Sequence, residues 1–169
     1  LEVIEAHHFF GVDYGMIEVV IHPQSIIHSM VEFIDGSIKA HLGFTDMRIP
    51  IQHALSSPDR LSSSLTGMDF AKVKNLSFEL PDLISFPCLD YAFEAGRKGK
   101  TYPVVLNATN EVAVASFLNG EILFLDIPNI VYEVLSEHEG VEVDDFCVIK
   151  GQEEWAKSRA LEIIRKLGR

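Results

Sequence analysis

The sequence predicts an α+β chain: a helix and a hairpin-bearing sheet first, then a four-helix bundle. Three observations predict it. Asp35-Gly36 separates two extended-looking stretches, 29–34 and 37–42, and Asp-Gly is the strongest short hairpin signal, because glycine takes the positive φ that tight hairpins need. Residues 17–22 (IEVVIH) are rich in β-branched side chains and stop at Pro23, as a buried strand does. After Pro87 the apolar residues switch to a helical period.

In chain order, residues 1–11 predict a helix, with Leu1, Ile4, His8 and Phe9 on one face and Gly11 as its C-terminal stop. No capping residue precedes it and no Met opens the chain, which predicts that further sequence lies upstream of Leu1. In the second hairpin arm Ile38, Ala40 and Leu42 alternate with Ser37, Lys39 and His41, predicting one buried and one wet face. Residues 56–82 change character. Ser56-Ser57-Pro58 and Ser62-Ser63-Ser64 are loop material, and Asn75 to Leu80 reads as a short strand before Pro81. We expect a linker at 58–82. Helices are then predicted at 88–95, stopped by Gly96, and at 102–118, stopped by Asn119-Gly120. A third starts at Asp126 as N-cap, with the stripe Ile127, Ile130, Val131, Val134 and Leu135. The last is predicted at 152–167, with Lys157, Arg159, Arg165 and Lys166 placed toward its C-terminal half, where the helix dipole favours cations.

Composition bounds the function. Of 169 residues 47% are apolar and 23% charged, with a formal net charge of −11. That describes a globular chain with a core, whose acidity repels nucleic acid. No apolar run reaches the roughly 18 residues a membrane helix needs, and Leu1 to Glu5 has no signal-peptide pattern. Two distant cysteines, Cys88 and Cys147, form no disulfide framework or metal knuckle and fit a reducing cytoplasm.

The densest chemistry lies in 22–30, where two histidines, two hydroxyls and an amide (His22, Gln24, Ser25, His28, Ser29) join two predicted strands. Such connections often carry binding groups; equally, Ser25 and Gln24 satisfy turn backbone and His22 fills an edge. His22 and His28 are not spaced for zinc. Glu2 and Glu5 lie three apart on a helix, either as a divalent-cation pair or as a solvated charged face. Met47 follows a Gly-containing loop, 42–46, either as a lid over a ligand ring or as a plain strand-to-helix connection. Asn107, Asn110 and Glu111 put polar groups inside an apolar helix, bracing the bundle or facing another domain. The chain contains no Gly-rich phosphate loop, nucleophile elbow or dinucleotide fingerprint.

Residues 21–31 (IHPQSIIHSMV) resemble the hallmark segment of the 1-deoxy-D-xylulose 5-phosphate reductoisomerase family. So do 46–50 (DMRIP), 67–70 (GMDF), 86–89 (FPCL), 106–114 (LNATNEVAV) and 124–127 (FLDI), six motifs in family order. The resemblance implies conversion of 1-deoxy-D-xylulose 5-phosphate to 2-C-methyl-D-erythritol 4-phosphate, with NADPH and a divalent metal (Mg, Mn or Co), in non-mevalonate isoprenoid biosynthesis. It implies residues 1–57 as the C-terminal half of an α/β connective, catalytic domain, 58–82 as linker and 83–169 as the helical bundle domain. It implies a homodimer through the catalytic domain, a cytoplasmic enzyme (plastid in a plant or alga), and a nucleotide-binding N-terminal part missing from this chain. By position, Glu2 matches a metal ligand that also touches substrate, and is expected to be catalytic with His28. Ser25 and His28 match residues lining the substrate pocket, and Met47 matches a loop residue near nicotinamide and substrate. At Thr45 the family often has proline. One carboxylate cannot hold a hard divalent ion that wants about six oxygens, so the chain alone is expected to be inactive. The competing reading is a catalytically silent dimerisation or interaction module. An independent metal hydrolase fares worst, since it needs three convergent ligands.

Overall fold

In a computed structural model, residues 1–64 and 67–167 are described. Leu65 and Thr66 of the expected linker, and Gly168 and Arg169 of the expected bundle, lie outside the described residues. The chain is helix-rich with one small sheet. Helices α1 (Glu2–Phe10), α2 (Arg48–Ser56), α3 (Phe70–Val73), α4 (Cys88–Lys98), α5 (Tyr102–Leu118), α6 (Asp126–Glu137) and α7 (Phe146–Leu167) accompany strands β1 (Ile27–Glu32) and β2 (Ile38–Leu42). Packing divides it into two units. Residues 1–18 belong with 82–169, and residues 19–81 form the other. Within the first of these, α1 packs on α4.

In the first unit α5 contacts α4, α6 and α7. Small residues, Ala108 and Ala113 on α5 and Ala156 and Ala160 on α7, are buried in the core and let those helices approach closely. Ile127, Ile130, Val131 and Val134 of α6 are buried as the stripe predicts, each aliphatic side chain contributing about 1.5–3 kcal/mol. α1 begins with Glu2 and Glu5 in its first turn, where the dipole favours anions. It ends at Gly11, left-handed at φ 63, whose N–H bonds to the His7 carbonyl. Val3 and Ile4 are its buried residues.

Three helix boundaries differ from expectation. α4 runs through Gly96 to Lys98, because Gly96 is a close-contact position rather than a stop: a Cβ there would overlap the Tyr14 ring. α6 is capped at Leu125, with Asp126 already in its first turn. α7 starts at Phe146, six residues early, because the Asp145 carboxylate accepts the Cys147 and Val148 N–H groups.

In the second unit β1 and β2 pair antiparallel. The hairpin closes as a three-residue loop: Gly36 N–H bonds to the Phe33 carbonyl and Phe33 N–H to the Ser37 carbonyl. Gly36 takes φ 79, and Asp35 Oδ1 accepts from both the Ser37 N–H and hydroxyl. The buried face expected for β2 is not found: Ile38 and Ala40 are exposed and Leu42 is half-buried. Residues 17–22 are not a strand. They are extended chain after a 3-10 turn, Tyr14–Met16, and their backbone meets 75–80 at an isolated bridge between Ile21 and Glu79.

Candidate functional site

Three of the four residues singled out lie in the unit of residues 19–81, and Glu2 lies in the other. Ser25 closes a turn that His22 opens, its N–H bonding to the His22 carbonyl at 2.9 Å. Pro23 suits the second position of such a turn because its φ is preset. Ser25 itself holds φ 49, a strained value for a non-glycine residue, and its side chain is exposed. The turn is held from outside. His22 Nδ1–H donates to the Ser77 carbonyl at 2.8 Å, its ring stacks on Phe78, and Gln24 exchanges hydrogen bonds with Ser77. His22 and Gln24 thus anchor the turn, and the hydroxyl of Ser25 is left facing out.

His28 is the extra residue of a β-bulge. Ile27 pairs with Leu42 and Ser29 with His41, so no β2 residue is left to pair with His28. A bulge re-aims a side chain and sharpens local twist. The exposed imidazole meets the His41 ring edge-on at 5.7 Å. Met47, 70% exposed, precedes α2. It is flanked by a clamp in which Arg48 Nε and Nη2 grip both Asp46 carboxylate oxygens while the Arg48 N–H bonds to Oδ1. That clamp holds the Asp46 carboxyl far below its ordinary value, at about 2. The loop before α2 is therefore braced on either side of Met47. Among the described residues no hydrogen bond links Ser25, His28 and Met47.

Glu2 heads α1 with a side chain 94% exposed. Hydrogen bonding to its own backbone N–H is the largest influence keeping its carboxyl below the usual range. Among the described residues no three His, Cys, Asp or Glu side chains converge to hold a metal ion.

Sequence reasoning missed the Asp46–Arg48 clamp, the Ser77 anchor and the bulge. The i, i+2 Asp-x-Arg spacing could have flagged the first; the others are long-range contacts without a local signal. Asn107, left open, donates to Glu111, which pairs with Lys157 of α7, so that stretch braces α5 against α7. A small depression lined by Ile49, Gln52, His53, Ser56, Arg60, Leu61 and Ser63 was also unforeseen.

The family model described as DXP reductoisomerase C-terminal domain matches residues 42–159. The chain is 51% identical over 99% of its length to 1-deoxy-D-xylulose 5-phosphate reductoisomerase of Pelotomaculum thermopropionicum, spanning 43% of that protein. It is 52% identical over 98% of its length to the like-named protein of Acetivibrio thermocellus, again spanning 43% of it. Among solved structures, the reductoisomerase from Zymomonas mobilis in complex with NADPH superposes with a TM-score of 0.91 at 40% identity. That match covers 96% of this chain and 43% of the other. A reductoisomerase in complex with NADPH, fosmidomycin and magnesium superposes at 0.92 with 38% identity, over 99% of this chain and 43% of that one. The chain thus spans less than half the length of the relatives it matches.

Proposed function

The chain belongs to the DXP reductoisomerase C-terminal domain family, and we propose that it works as the C-terminal part of an enzyme converting 1-deoxy-D-xylulose 5-phosphate to 2-C-methyl-D-erythritol 4-phosphate, with NADPH and a divalent metal. The observation that carries this is alignment from end to end, over 99% of this chain at 51% identity, with a reductoisomerase twice as long. The solved relatives hold NADPH and magnesium, which supports the same pair here. The reaction belongs to non-mevalonate isoprenoid biosynthesis. We place it in the cytoplasm, or in a plastid for a plant or alga; the free cysteines Cys88 and Cys147 suit a reducing compartment.

We take residues 1–57 as the closing half of the α/β catalytic domain, 58–82 as linker and 83–169 as the four-helix domain. Glu2 supplies one anionic ligand, and the others come from outside this chain. A divalent metal supplies Lewis-acid polarisation of substrate oxygens, and NADPH supplies hydride. The residues here do the positioning. Ser25, with its hydroxyl turned outward from an anchored turn, donates to a substrate oxygen. His28 orients a substrate hydroxyl or passes a proton at its imidazole nitrogen. Met47 covers the apolar side of the reacting groups and keeps water off them.

Joining this chain to the N-terminal part of the Pelotomaculum relative tests the reading. We expect NADPH oxidation that depends on 1-deoxy-D-xylulose 5-phosphate from the chimera and none from the chain alone. Glu2→Gln in the chimera should lower kcat/KM about 100-fold or more, since Lewis-acid polarisation is worth several kcal/mol. A silent chimera of native stability would refute it. The alternative of a silent contact module draws on the hairpin, where Ile34 is fully exposed and Val31 and Ile38 are more than half exposed. In our reading the hairpin serves the enzyme as a homodimer contact. Sedimentation of the chimera should show a dimer, which Ile38→Lys weakens.

A further inference from the structure

We infer that His41 is a positioning residue for His28, holding its imidazole in one orientation; the inference rests on the reading of His28 as a pocket residue. The bulge starts the argument. Ile27 pairs with Leu42 and Ser29 with His41, so His28 is the inserted residue, beside the position His41 occupies on β2. An inserted residue loses the cross-strand neighbour that would fix its rotamer. His28 is also exposed, so nothing in regular strand geometry would keep its ring still.

Two contacts replace that neighbour. The His41 ring meets the His28 ring at 5.7 Å between centroids and 64° between planes, within the favoured edge-to-face range. The ring also lies close to Gly43, where a Cβ would stand 3.6 Å from His28 Nε2. Gly43 is itself pinned, its N–H bonding to the Ile26 carbonyl at 2.9 Å. One imidazole therefore has a second imidazole and a fixed glycine as close neighbours. Groups that act on a substrate must be held within about 0.5 Å of their working position, and His41 is the only ring contact of His28 among the described residues.

The test is a double-mutant cycle in the whole enzyme. His41→Ala should lower kcat about 3- to 10-fold, the range an edge-to-face ring pair spans, with KM and the melting temperature little changed. His41→Phe, which keeps a ring and loses the ring nitrogens, should recover most of that loss. In a His28→Ala background, His41→Ala should cost nothing further, because its effect passes through His28. An unchanged kcat for His41→Ala overturns the proposal. So does an equal loss in the His28→Ala background, or a His41→Phe variant as poor as the alanine. A His28→Ala enzyme with full activity defeats the reading of His28 itself, a result distinct from any failure at His41.

Discussion

Thr109 is fully buried in α5, and its hydroxyl has no hydrogen-bond partner among the described residues. A buried, unpaired polar atom costs about 1–3 kcal/mol of desolvation. Thr109→Val keeps the shape and removes that cost, so it should stabilise the chain by about 1 kcal/mol, read as a higher urea midpoint at unchanged slope. Thr109→Ser keeps the hydroxyl and deletes a methyl, and should lose about 1 kcal/mol. Gly96 gives the opposite lesson. Alanine is the better helix former by about 1 kcal/mol, yet its Cβ would overlap the Tyr14 ring. Tyr14 is buried, stacks on His7 and meets Phe93 edge-on, so it has little room to yield. Overpacking costs about 1–3 kcal/mol, and Gly96→Ala should come out net destabilising, with Tyr14→Leu restoring the double variant. A stabilised Gly96→Ala protein would mean that Tyr14 swings clear.

Between elements, one buried histidine ties the start of α5 to the chain after α6. His138 Nε2 and the Thr101 hydroxyl share a hydrogen bond at 2.9 Å, while Thr101 Oγ1 accepts the Val141 N–H and the Tyr102 hydroxyl donates to the His138 carbonyl. Its other neighbours are the Tyr102 and Trp155 rings, and desolvation by that burial pushes its pKa below the ordinary 6.5. A neutral form favoured in the folded state gives stability that is complete above about pH 6.5 and is lost as pH falls through that value toward the folded pKa. Wild-type melting temperature should therefore drop from pH 7.5 to 5.5 more steeply than that of His138→Gln; parallel curves would refute the assignment. This region also marks what a sequence can convey. The α6 stripe was legible because one-sided burial imposes a period on neighbours in the chain. The strand expected at 17–22 was not, because β-branched residues report only extended backbone, whereas pairing needs partners distant in sequence. Gly96 reads locally as a helix stop, although its reason lies with Tyr14, 82 positions earlier. Glu2, Ser25, His28 and Met47 stood out by residue type and position, but only the resemblance gave them roles; no spacing would have separated them from turn and surface residues.

At the scale of the whole molecule, the placement of α1 would tie the helical unit to the metal chemistry proposed for Glu2. Glu2 and Val3 are adjacent, so the helix that exposes the carboxylate also buries Val3 and Ile4 as it packs on α4. The direction in which Glu2 points is thus set by a contact with α4, where no residue was assigned a catalytic role. Ile4→Ala should cost the helical unit about 2–4 kcal/mol by leaving a cavity, and it should also let α1 shift on α4. A metal ligand displaced by about 1 Å loses much of its value, since hard cations and transferring groups are sensitive at that scale. In the whole enzyme, Ile4→Ala should raise the magnesium concentration needed for half-maximal activity several-fold at a temperature where it is still folded. Excess magnesium should recover most of the rate. Ile163→Val, in the helical core cluster to which Ile4 does not belong, should lower the melting temperature without moving the magnesium requirement. If both variants shift the requirement equally, loss of stability alone is the cause, and α4 has no part in aiming the carboxylate. If only Ile4→Ala shifts it, the helical domain serves the reaction by fixing one end of the metal site.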